Sequence, residues 1–162
     1  MRFLSVEDKL LYGKALELRE RVEHWLSYVP VTFPSYTRHT VLHSDEIIMQ
    51  ASKLLFTNDK PVTRLSAGEA YVIVAAAFLH DSGMVVAERE KLTVLSSPEW
   101  NAWIADGGGS ARWTAIRDLR VDQQLPSDAI RNYLADLQTR HLIAEFVRSQ
   151  HAARASFVID SH

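Results

Sequence analysis

Apolar residues along this chain recur at helical intervals, and no stretch alternates convincingly as a strand would. From about Val6 to Tyr28, the positions Leu10, Leu11, Leu18, Val22, Trp25 and Leu26 keep a helical spacing, with Ser5 placed to cap the start. The stretch Val29 to Tyr36, VPVTFPSY, carries two prolines and predicts an extended turn before a second helix from about Thr37 to Phe56. After the connection TNDKPVTR, Ser66-Ala67-Gly68-Glu69 has the form of a capping box. It opens a third helix whose body, AYVIVAAAFL, has no polar face, which predicts a central position among other helices. His80 and Asp81 stand at its far end, and Gly83 offers a stop.

The segment from Met84 to Gln124 is less regular, although Ser97-Pro98-Glu99 reads as a helix start followed by Trp100, Trp103 and Ile104. Asp106-Gly107-Gly108-Gly109-Ser110 breaks that helix. It lacks the G-K-[ST] ending of a phosphate-binding loop and reads as a flexible turn. From Pro126-Ser127-Asp128 onward, Ile130, Leu134, Leu137, Leu142, Phe146, Val147 and Phe157 sustain one long helix or two. The expectation is an all-α domain over residues 1–162, an irregular bundle of about five helices without internal repeats.

Composition narrows the chemistry. With 47% hydrophobic and 23% charged residues the chain is an ordinary globular one, and a net charge of −2 offers no general attraction for nucleic acid. Without cysteine there are no disulfides, thiolate ligands or cysteine nucleophiles, so any metal must be held by His, Asp or Glu. The N-terminus acquires Glu7 and Asp8 before an apolar run develops, unlike a secretory signal. The longest apolar stretch, Ala70 to Leu79, is far shorter than the roughly 20 residues of a membrane-spanning helix. A soluble, cytoplasmic protein is expected.

His43 is followed by Ile47, Gln50, Ala51 and Leu54 at helical spacings, which places its imidazole on or beside the inward stripe. His80 and Asp81 leave the all-apolar helix, so at least one of them starts inside the domain and needs a partner. Two imidazoles and a carboxylate converging there are satisfied by hydrogen bonds alone, or they begin an oxygen and nitrogen shell for a divalent metal, Mn, Fe, Zn or Mg. Such an ion would polarise a phosphoryl oxygen and acidify water, making phosphoester hydrolysis the natural reaction class. His39 and His43 at i and i+4 are a weaker signal, because the Glu of H-E-x-x-H is missing.

YTRHTVLHSDEII, followed 37 residues after His43 by AAAFLHDSGM, resembles the H…HD signature of the HD-domain superfamily, most in the manner of the HD-CE type. That resemblance implies His43, His80 and Asp81 as metal ligands and His39 as an accessory polar residue near the pocket. It extends to Arg148-Ser149-Gln150-His151-Ala152-Ala153-Arg154, similar to an R-x-x-H-x-x-R stretch of related domains. There His151 and His39 would assist proton transfer, and Arg148 and Arg154 would hold a small phosphorylated ligand, a nucleotide or another phosphoester. Metal-active relatives close the shell with a distal Asp. Asp160 is the only late candidate, while Asp118, Asp122, Asp128 and Asp136 precede the His151 segment.

Two readings follow. One is a metal-dependent phosphohydrolase. The other is a non-catalytic regulatory or interaction module with a degenerate site, the N-terminal part of a longer protein fused to or associated with an ATPase or signalling domain. Trp100, Trp103 and Trp113 would then offer a surface for a partner or for a homo-oligomer.

Overall fold

The computed structural model describes residues 1–33 and 40–160, and these fall into two compact units. The first comprises Met1–Val85 together with the chain from Ala152 onward, and the second is Val86–His151. The all-α expectation holds, with more and shorter helices than the five anticipated.

In the first unit, α1 (Arg2–Glu7) and α2 (Lys9–Leu26) replace the single first helix. The break falls at Asp8, whose extended backbone (φ −153°, ψ 101°) lets its carboxylate accept from the Leu10 and Leu11 amides, both at 3.0 Å. Asp8 is therefore the cap expected of Ser5, whose hydroxyl instead bonds back to the Arg2 carbonyl. The stretch expected to be extended begins with a short helix, α3 (Val29–Thr32), because Pro30 sits in its first turn, where the missing N–H costs nothing. Helix α4 (Val41–Leu55) starts later than expected, since Thr40 is extended (φ −120°, ψ 167°).

A two-residue hairpin follows, β1 (Phe56–Thr57) antiparallel to β2 (Lys60–Pro61), which periodicity could not have found. Its turn is Asn58-Asp59, both at positive φ (51° and 62°), a conformation these two side chains tolerate and a tight hairpin requires. Helix α5 (Ala67–Leu79) carries the complete capping box: the Glu69 amide donates to Ser66 Oγ at 3.2 Å, and the Ser66 amide donates to Glu69 Oε2 at 2.8 Å. It packs against α1, α2 and α4 through Ala70, Val74, Ala77 and Phe78. Its all-apolar sequence nonetheless leaves Val72 exposed. Gly83 is not the stop: α5 ends at Leu79 and the chain continues through a 3₁₀ turn, Ser82–Met84.

In the second unit, α6 (Glu88–Leu95), α7 (Pro98–Ala105) and α8 (Ser110–Val121) fill the segment that periodicity left open. Ser97 caps α7 as expected, accepting from the Trp100 amide at 3.1 Å. Helix α9 (Asp128–Asp160) is one continuous 33-residue helix that supplies residues to both units.

The glycine run between α7 and α8 is a packing device. A Cβ on Gly109 would lie 2.5 Å from the Trp103 ring, and one on Gly107 would lie 2.7 Å from the Trp103 carbonyl oxygen. The contact at Gly107 is with backbone, so no side-chain rotation can relieve it. Gly107→Ala is expected to lower the unfolding free energy by about 1–3 kcal/mol; urea denaturation measures this, and an unchanged midpoint would contradict the close approach.

Candidate metal centre

Three elements of the first unit converge on the candidate site. His43 lies in the first turn of α4, its amide bonded to the Thr40 carbonyl at 2.9 Å. His80 is the C-terminal cap of α5, and Asp81, only 3% exposed, leads into the 3₁₀ turn. The helix whose apolar body builds the core thus delivers its two polar residues at the point where it stops.

The His43 and His80 rings are 5.4 Å apart between centroids. His80, Asp81 and His43 each offer one ligand atom, and the three atoms lie within 4.8 Å of one another. Two ligands on one ion at about 2.0–2.2 Å are separated by at most about 4.4 Å, so three atoms within 4.8 Å of one another are near the spacing one ion needs. Among the described residues no other group of three or more such side chains stands this close.

Hydrogen bonding fixes what His80 presents. Its Nδ1 lies 2.8 Å from the Ala77 carbonyl oxygen, which can only accept, so Nδ1 carries the proton. Nε2 then faces Asp81 Oδ2 at 3.0 Å. In a neutral ring that places a lone pair against a carboxylate oxygen, an arrangement that calls for a proton or a metal cation between them. The donor set of two imidazoles and a carboxylate fits a divalent transition metal.

In the metal-free protein the proton fills that role. The hydrogen bond to Asp81 raises the His80 pKa above 6.5; burial opposes this, and the Ala77 carbonyl and the Asp81 charge add to it. A raised folded-state value means that the stabilisation is fully present below about pH 6.5 and is lost as pH rises through the higher folded value. The metal must displace the same proton, so its affinity is expected to rise over that window while metal-free stability falls. Chemical denaturation and metal titration between pH 5 and 9, with His80→Gln as reference, measure both. Parallel pH profiles for the two proteins would contradict the pairing.

The surroundings hold the ligand-bearing elements in place. Arg19 on α2 grips Asp45, two residues beyond His43, through Nε at 3.1 Å and Nη2 at 2.6 Å, tying α4 to α2. Trp25 Nε1 donates to the Ser82 carbonyl at 3.1 Å. Ser44, fully buried beside His43, has a hydroxyl without a hydrogen-bond partner among the described residues. In the sequence Trp25 is one apolar position of the first helix, and nothing in the pattern marks Ser44. Opposite charges 26 residues apart on two expected helices were the one signal present for Arg19–Asp45.

Arg154 belongs to the first unit, where Nε donates to the Gly83 carbonyl at 2.8 Å and Nη2 to that of Val85 at 3.2 Å. Arg148 and His151 belong to the second unit; His151 Nδ1 donates to the Arg148 carbonyl at 2.7 Å and Arg148 is exposed. His39 lies outside the described residues, as does any account of the Asp160 side chain. No single described helix is long and apolar enough to cross a membrane.

A family model described as HD-CE matches residues 33–162, most of the chain. No curated protein and no solved structure matches it significantly.

Proposed function

The chain belongs to the HD-CE family, and from that premise we propose that it is a metal-dependent phosphohydrolase acting on a nucleotide or another small phosphoester. The observation that carries this is the approach of His43, His80 and Asp81 ligand atoms to within 4.8 Å. A bound divalent ion would supply Lewis acidity toward a phosphoryl oxygen and lower the pKa of a bound water toward neutrality. The chain's own part is to hold that charge in place. Asp81 brings a buried negative charge to the ion, and the Ala77 carbonyl keeps the proton of His80 on Nδ1, leaving Nε2 to ligate. His43 closes the set from α4. With three protein ligands, coordination positions remain for water and substrate, as catalysis demands and a purely structural site does not.

Proton transfer by His39 or His151 and phosphate binding by Arg148, which family resemblance implies, belong to the same proposal. Alanine at any of the three is expected to lower kcat or raise KM with metal content unchanged.

Hydrolysis of bis(p-nitrophenyl) phosphate and of a nucleotide panel, with Mn²⁺ supplied, tests the proposal. Turnover by the native chain that disappears in His80→Ala supports it. Stoichiometric metal without turnover on any substrate overturns catalysis and leaves the non-catalytic module.

A further inference from the structure

We infer that Arg154 serves the site as a positioning residue, holding the loop that carries Asp81, and that Trp25 is a second such support of the same turn. This rests on the metal-site reading above. It gives Arg154 a different task from the anion contact that its place in the R-x-x-H-x-x-R stretch suggests.

Asp81 sits at φ −93°, ψ 1°, between helical and extended conformations, and the 3₁₀ turn after it closes through the Met84 amide on the Asp81 carbonyl (2.9 Å) and the Val85 amide on the Ser82 carbonyl (3.3 Å). Those bonds leave the Gly83 and Val85 carbonyls unsupplied within the turn, although Gly83 is buried and Val85 half-buried. Buried carbonyls need donors. Arg154 provides both from a single planar guanidinium, across 71 and 69 residues of sequence. Trp25 adds a third side-chain donor, to the Ser82 carbonyl, from 57 residues away.

Three carbonyls just after Asp81 are thus held by side chains from α2 and α9. The Asp81 carboxylate meets His80 Nε2 at 3.0 Å, and the backbone that leaves Asp81 is the one these donors hold. A guanidinium committed to two carbonyls at 2.8 and 3.2 Å is oriented by the loop.

The test compares the native chain of residues 1–162 with Arg154→Ala, Arg154→Lys and Trp25→Phe. Mn²⁺ and inorganic phosphate affinities are measured by calorimetry, and amide exchange at residues 82–85 is measured without metal. Arg154→Ala is expected to weaken Mn²⁺ binding about 10–100-fold, the range for supporting residues behind metal ligands. Amide exchange at Met84 and Val85 should accelerate in the same variant. Lysine, which cannot span both carbonyls, should restore only part of the affinity. Trp25→Phe removes one donor and little bulk, should loosen the same amides, and decides the matter if Arg154→Ala does not fold.

Native chain that binds no Mn²⁺ overturns the metal site itself and this inference with it. Native binding with unchanged affinity and exchange in the variants overturns the inference alone. Loss of phosphate affinity in Arg154→Ala at unchanged Mn²⁺ affinity would return Arg154 to anion binding.

Discussion

Asp81→Asn is expected to fold and to lose its metal. The side chain is almost fully buried, so a change of shape there would be costly, but asparagine keeps the shape and removes only the charge. Its amide can donate to His80 Nε2, the atom that faces the Asp81 carboxylate at 3.0 Å, so the metal-free turn keeps its hydrogen bond without a protonated imidazole. The same substitution removes one anionic ligand and occupies the lone pair of a second. Replacing a residue behind a ligand costs roughly 10–100-fold in metal affinity; loss of a direct ligand should exceed that range, and turnover should fall in proportion. Calorimetric titration with Mn²⁺ and a thermal melt of the metal-free variant measure the two halves. A native melting temperature with native affinity would remove Asp81 from the site.

The second large effect concerns the second unit. Trp100 is 1% exposed, and its ring lies 5.4 Å from that of Phe146, 5.7 Å from Trp103 and 5.9 Å from Trp113 between centroids, with the Phe146 and Trp113 contacts edge-on. Trp100→Ala leaves a cavity whose walls include the Trp103 ring, itself packed against the glycine turn. Such a truncation costs about 3–5 kcal/mol, a large part of the 5–15 kcal/mol by which a domain is stable. Urea denaturation followed by the fluorescence of the remaining tryptophans reads the loss. A shift below about 1 kcal/mol would mean that the aromatic cluster is not the core of its unit. Of the three tryptophans considered for a partner surface, Trp100 is buried in this cluster, while Trp103 and Trp113 are half-buried.

The elements legible in the sequence were those whose signals are local. The capping box at Ser66 and Glu69, the Ser97-Pro98 start and the long apolar pattern of α9 each depend on residues within a turn or two of one another. What escaped depended on contacts distant in sequence or on fine backbone geometry. Asp8 outcompetes Ser5 because the chain is extended there, which composition does not reveal. The Asn58-Asp59 hairpin is too short to alternate, and the meaning of Gly107 and Gly109 lies in a tryptophan ring that only the folded chain brings near.

The site shows the same division. His43, His80 and Asp81 were legible because an apolar helix ending in two polar residues, and a histidine on an inward stripe, each demand a partner, and the H…HD spacing joined them. The supports were not legible in this way. Arg154 was expected to face a phosphate, and its bonds to the Gly83 and Val85 carbonyls depend on the path of the turn, which carries no periodic signal.

In the proposed site His43, His80 and Asp81 together hold one divalent ion. Crystals of the chain soaked with Mn²⁺ and measured at the manganese edge test it most directly. One anomalous peak is expected within bonding distance of both imidazoles and the Asp81 carboxylate, absent in His43→Ala. Manganese bound elsewhere with these three side chains still paired to one another, or a peak untouched by that substitution, would contradict it.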